Sequence, residues 1–156
     1  AKLTFAGGIP RSKKVQNAIM KKTPVVLDKE AELERVTQLR GFRYGLHDFY
    51  AELNIETLKE LNDHIEATYI GTTTLDRKTK EISLMVACVA QQDLVSHLQI
   101  HMHAANKAGA SPEEIMAILD LVGGWIGNVA KINALEAWRA TFRPDIPTID
   151  RVVELR

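Results

Sequence analysis

The segment LVSHLQIHMHAANKAGASPEEI, residues 94–115, dictates a helix, a stop and a second helix. Its first part is an apolar helical run. Gly109 stands where a left-handed residue just past a helix end belongs. Ser111-Pro112-Glu113-Glu114 then supplies three start signals: an N-cap serine, a proline at the first helical position and a glutamate two residues later. Within the first helix, His97, His101 and His103 place three of the chain's five histidines in seven residues. His97 and His101 are four apart and so share one helical face. Histidine changes charge near neutral pH, so this face is a candidate chemical site.

The same helical spacing extends through the rest of the chain. Asp28 is a good N-cap, followed by Glu30 and Glu32 where the helix dipole favours acids. Ala31 holds the position at which a capping box would need Glu or Gln. Gly41 and Gly45 interrupt the run that follows, which fits two helices or one broken helix. Asn54 is the next cap, and Leu58, Leu61, Ile65 and Ile70 form the inner stripe of a helix closed by Gly71 and three threonines. Asp76 starts a helix that is apolar nearly all round over residues 82–90, as a helix buried on several sides would be. The histidine helix is expected over residues 93–108. The next helix is expected to end at Gly123-Gly124, and the last to run from Trp125 to a stop before Pro144. No strand signal competes. The prediction is an all-α domain of six or seven helices over residues 28–142, with an arm at 1–27, a short helix near 14–20, and a tail at 143–156 that drapes over the surface or a neighbour.

Composition narrows the function. The 156 residues suit one domain, and Lys plus Arg equals Asp plus Glu at 20 each. That balance argues against a nucleic-acid partner, which selects for basic excess. Cys88 is the single cysteine, so neither an internal disulfide nor a paired-thiol redox centre can form. No apolar run approaches the roughly 20 residues of a membrane span. No signal-peptide pattern opens the chain, and the expectation is a soluble cytoplasmic protein. Zero net charge offers little repulsion to self-association.

From Lys80 to Trp138 the chain resembles the carboxymuconolactone decarboxylase family, which also contains alkyl hydroperoxidase D. Lys80-Glu81 opens an apolar helix. His101, Ala104, Ala105 and Gly109 keep the family's spacing, Gly109-Ala110-Ser111-Pro112-Glu113-Glu114-Ile115 matches its turn, and Gly127-Asn128 precedes the last helix. The resemblance implies an alkyl hydroperoxidase D-like helical fold, assembly as a homotrimer or homohexamer, and chemistry without metal or organic cofactor. Two positions depart from it. The peroxidase branch carries Cys-x-x-Cys where this chain has Leu94 and His97, which removes the two sulfurs that thiol peroxidase chemistry requires. The decarboxylase branch tends to carry glutamate at the position of His97.

On this resemblance His101 is the site histidine and Glu81 the nearby carboxylate, one to transfer a proton and the other to hold the imidazole in one tautomer. His97, one turn before His101, completes the catalytic candidates as a relay or tuning residue. The plain alternatives are a core histidine, a solvated acid and a half-exposed polar residue. His103, Trp125 and Tyr69 are the substrate-binding candidates. His103 lies about 200° round the helix from His101, which also suits a subunit contact or a surface position. Tyr69, with Tyr44, Phe49 and Tyr50, could line an apolar pocket but reads first as packing, as aromatic residues at helical spacing usually do. Arg40, Arg43 and Arg77 are of a type that binds carboxylates in bidentate fashion. A zinc ion on His97 and His101 would need a third ligand, for which His47, His64, Glu81 and Asp93 compete.

The reaction expected is decarboxylation, or another cofactor-free acid–base conversion, of a small unsaturated lactone or keto acid. Lactone hydrolysis or isomerisation in the same pocket is the alternative within the enzyme class. A non-catalytic oligomeric binding protein is the alternative outside it, and a thiol peroxidase is disfavoured by the single cysteine.

Overall fold

The computed structural model describes residues 26–154, so the expected N-terminal arm and its short helix lie outside the described residues except for Val26 and Leu27. Among the described residues there are seven α-helices, one π-helical stretch and no strand. In chain order they are α1 (Lys29–Arg40), α2 (Gly45–Leu53), α3 (Ile55–His64), the π-helical stretch Ile65–Ile70, α4 (Arg77–Gln91), α5 (Val95–Lys107), α6 (Pro112–Ile126) and α7 (Asn128–Phe142). Among the described residues, no helix is long and apolar enough to cross a membrane. The chain divides into two compact units between His64 and Ile65. Neither glycine nor proline marks that boundary.

In the N-terminal unit, Asp28 caps α1, its carboxylate accepting from Ala31 N at 3.0 Å. Gly41 ends α1 in the left-handed region at φ +79°, and its N–H returns to Thr37 O. The two glycines of this run therefore separate two helices. Asn54 accepts from Thr57 N at 3.1 Å at the start of α3. Leu33, Ala51 and Leu58 form the small core, with Tyr50 and Ile55 against it. Asn62 ties α3 to α1 by donating to the backbone and side-chain oxygens of Glu32. His47 is fully buried here, and burial, aided by the Arg40 charge, lowers its pKa from the ordinary value of 6.5.

The C-terminal unit opens with a change of helical pitch. Gly71 N bonds Glu66 O, five residues back, at 2.9 Å. A Cβ on Gly71 would sit 2.5 Å from Ala67 O, so only glycine closes this turn. The wider pitch rotates Ile70 out of the expected inner stripe and leaves it exposed.

Two helical pairs follow. Asp76 caps α4 by accepting from Thr79 N at 2.7 Å. Contacts that join residue 81 to 101 and the region of 88 to that of 97 show α4 and α5 running antiparallel. The histidine helix starts at Val95, two residues later than expected, because the Asp93 carboxylate accepts from the adjacent Leu94 N instead of from a residue in the first turn. At its end, Gly109 adopts φ +100°, Ala110 N bonds Ala105 O and Gly109 N bonds Asn106 O. These paired bonds satisfy the last carbonyls of α5, and the following Ala110 is buried. Ser111 then caps α6, its hydroxyl accepting from Glu114 N.

The expected break at Gly123-Gly124 is corrected: α6 continues through both glycines to Ile126. Gly123 is buried where α6 meets α7, and a Cβ there would fall 2.7 Å from the Lys131 side chain. The glycine is a close-approach residue, and Lys131 passes over it to pair with Asp120 at 2.8 Å. The turn itself is Gly127, at φ 123° and ψ 161°, a region open essentially to glycine alone. Trp125 consequently ends α6 and does not begin the last helix.

The larger core joins Met85 and Val89 of α4, Leu98 and Met102 of α5, Ile115 and Leu119 of α6, and Ala130, Ala134 and Ala137 of α7. The alanine face lets α7 lie close to its neighbours. Trp138 fixes its register by donating Nε1–H to Pro112 O at 2.8 Å. The tail is held by α7: Arg139 donates to Ile146 O, and Glu136 accepts from both Arg139 and Ile149 N. The Arg139 guanidinium, with the Ile149 N–H, lowers the Glu136 pKa from 4.5 to about 2.

Leu119→Ala, which empties a fully buried site, is expected to destabilise the chain by about 2–5 kcal/mol in urea denaturation. Because Glu136 is more acidic folded than unfolded, its contribution is complete above pH 4.5 and declines as the pH falls toward about 2. Acid proteolysis of residues 143–154 should accelerate across that window, and Glu136→Gln should show the fast rate throughout.

Candidate functional site

The site is built inside the C-terminal unit on the α4–α5 pair. Glu81 lies in the second turn of α4 and His101 in the middle of α5, at 0% and 2% exposure. A buried carboxylate is expensive unless its oxygens are paired. Here both are. Oε2 meets His101 Nδ1 at 2.8 Å, while Oε1 accepts from the Tyr69 hydroxyl and from Arg77 Nε, the latter at 2.8 Å. Burial is the largest single influence on Glu81 and acts to raise its pKa. The hydrogen bonds from His101 and Tyr69, with the charges of His101 and Arg77, outweigh it and leave the pKa below the usual 4.5. Glu81 is thus an ionised carboxylate that fixes the His101 ring.

Tyr69 reaches this carboxylate through the π-helical stretch. Its carbonyl accepts from Lys80 Nζ at 2.6 Å, and the Arg77 guanidinium lies 4.9 Å from its ring centre. The side chain that the sequence reads first as packing therefore bonds the catalytic candidate Glu81 directly. Of the three arginines considered for substrate carboxylates, Arg77 is engaged with Glu81, whereas Arg40 and Arg43 belong to the N-terminal unit.

His97 lies one turn before His101, with ring centres 5.0 Å apart. Its Nδ1 meets Asp93 Oδ2 at 2.6 Å. Asp93 is held below the usual carboxylate range by the Leu94 N–H and by His97. A line of polar groups, Arg77 and Tyr69 to Glu81 to His101, continues beside His97 to Asp93. Cys88 stands on α4 against this line: its carbonyl accepts from Asp93 N at 3.0 Å, and its sulfur and one ring nitrogen each of His97 and His101 lie within 4.8 Å of one another.

His103 and Trp125 lie in the same unit but do not join this group. His103 is exposed and turns its ring toward Phe142 of α7, at 6.2 Å between centres. Trp125 is 87% exposed at the end of α6. His47 and His64 belong to the N-terminal unit. Glu81 and Asp93, the other proposed third metal ligands, instead hold the Nδ1 atoms of the two histidines. Sequence reasoning missed Cys88 as a neighbour of the histidines. Its signal was available only in part: residues 88 and 97 flank a short turn, and an antiparallel pairing of the two helices brings them together.

Among the described residues the fold is all-α, and it carries a buried carboxylate–imidazole pair between two antiparallel helices. The sequence profile of the carboxymuconolactone decarboxylase family matches residues 56–140, more than half of the chain, and the chain belongs to that family. Comparison with curated proteins returns no match, and comparison with solved structures returns none.

Glu81→Ala strands the buried His101 ring together with Tyr69 and Arg77, and is expected to cost about 3–5 kcal/mol of stability. Tyr69→Phe removes one bond to an ionised acceptor and should cost about 1.5–3 kcal/mol. Chemical denaturation of both variants measures the two values.

Proposed function

We propose that the chain is a cofactor-free acid–base enzyme that acts on a small unsaturated lactone or keto acid, with decarboxylation as the reaction. The observation that carries this reading is the His101 Nδ1–Glu81 Oε2 contact at 2.8 Å inside the core. With Nδ1 facing a carboxylate, Nε2 is the ring atom aimed at substrate. Glu81 fixes the tautomer and stabilises the imidazolium when His101 carries the extra proton.

In the proposed step, the bond between the substrate and its carboxylate breaks. Carbon dioxide leaves, and the electron pair passes into the conjugated carbonyl as an enolate. His101 Nε2 delivers a proton to carbon, and solvent restores it. The role of the protein is to desolvate the carboxylate and place the donor. His97 tunes His101 from one turn away. Family membership supports a decarboxylase relative, and glutamate in place of His97 in that branch points to a different substrate here.

The working form is a cytoplasmic homotrimer or homohexamer. Leu121, Trp125, Val129 and Ile132 leave apolar surface exposed about the α6–α7 turn, which supports association with further copies. Trp125 and His103 would meet substrate only from such a neighbour.

His101→Asn keeps a side chain of similar size and removes the transferable proton. It is expected to lower kcat by about 10²–10⁴ on an unsaturated lactone or keto acid that wild type turns over. Unchanged kcat in a folded variant would overturn the assignment. Product analysis separates loss of carbon dioxide from simple ring opening.

A further inference from the structure

The proton-transfer reading leaves Cys88 unused, and leaves the second carboxylate–histidine contact, His97–Asp93, without a stated purpose. We propose that Cys88, His97 and His101 form a zinc-binding site with one sulfur and two nitrogen ligands and a fourth position open to water or a small carboxylate. The three donor atoms lie within 4.8 Å of one another. A tetrahedral zinc would draw such atoms to about 3.3–3.6 Å, as follows from Zn–N and Zn–S bonds of about 2.1 and 2.3 Å. The movement required is small for side chains.

Two features of the surroundings point to a metal. First, both histidines offer Nδ1 to a carboxylate: His101 to Glu81 at 2.8 Å and His97 to Asp93 at 2.6 Å. Metal-bound histidines are held in this way, because the partner on one nitrogen orients the ring and makes the other nitrogen a stronger ligand. A plain proton donor needs one such contact, and this site has two. Second, the pair comes from one face of α5 at a spacing of four, while the sulfur comes from the facing helix. The ligands therefore enclose a point between two packed helices, where rigid elements hold the geometry.

The donor set selects the ion. A thiolate with two imidazoles suits a borderline-soft cation such as zinc, and is a poor match for calcium or magnesium, which take oxygen ligands. On binding, the Cys88 thiol releases its proton to solvent and forms the S–Zn bond, with no change of oxidation state. The bound ion occupies the His101 ring. Zinc and proton delivery by His101 are then mutually exclusive, and the metal-loaded protein is silent in the acid–base reaction. The inference shares two residues with the proposed function but rests on their geometry, so it stands or falls without an activity assay.

Cobalt(II), a coloured stand-in for zinc, tests it. The full-length protein, reduced and metal-free, is titrated with cobalt(II) chloride under anaerobic conditions. One equivalent per chain should produce a near-ultraviolet thiolate-to-cobalt absorption band, and added zinc should remove it. Because the chain has one cysteine, that band reports Cys88 alone. Cys88→Ser should abolish the band. His97→Asn alters a partly exposed side chain with little risk to folding, and should weaken cobalt binding by more than tenfold. Asp93→Asn should weaken it by about 10–100-fold. Absence of the band in wild type, or a band of unchanged strength and affinity in His97→Asn, would overturn the proposal. If Cys88→Ser does not fold, the wild-type band and the His97→Asn titration decide the matter.

Discussion

The buried contact between Glu81 and His101 constrains everything around it. A carboxylate at zero exposure must have its charge met at both oxygens. That requirement accounts for the neighbours it has gathered: an imidazole from α5, a phenol from the π-helical stretch and a guanidinium one turn back on α4. The change of pitch at Ile65–Ile70 is intelligible in this light. It turns Ile70 outward and accompanies Tyr69 facing the carboxylate, at the expense of a regular apolar stripe.

The two proposed chemistries draw on the same pair of helices. A histidine whose Nδ1 is bound to a carboxylate presents Nε2 as a better base and also as a better metal ligand, for the same electronic reason. His97 and Asp93 repeat the motif one turn away at the end of α4–α5. With Cys88 beside them, the proposed proton-transfer site and the proposed zinc site share His97 and His101, so that an ion bound there would compete with the proton.

The structure also assigns different work to glycines that look alike in sequence. Gly109 and Gly127 have positive φ and make turns. Gly71 and Gly123 lie where a Cβ would collide with Ala67 O and with the Lys131 side chain. Gly71 still closes the π-helical stretch, whereas Gly123 lies inside a helix that continues past it. The expected break at Gly123-Gly124 failed for this reason, since a glycine inside a helix can exist to let another chain segment approach.

Much of the helical framework was legible in the sequence because its signals are local. Asp28, Asn54, Asp76 and Ser111 cap their helices, and Gly109 ends α5, through bonds spanning three to five residues. Such bonds depend on residue type and spacing alone. The shared face of His97 and His101 follows from the same periodicity, and the pairing of His101 with Glu81 was accessible through the family resemblance. What the chain could not reveal by itself was which polar groups end up together across helices. The burial of Glu81, the turn of Tyr69 toward it, the exposure of Trp125 and the approach of Cys88 to the histidines all depend on the register of one helix against another. That register is decided by the packing of Met85, Leu98, Met102, Ile115 and the alanine face of α7, a many-body fit that no short window of sequence contains.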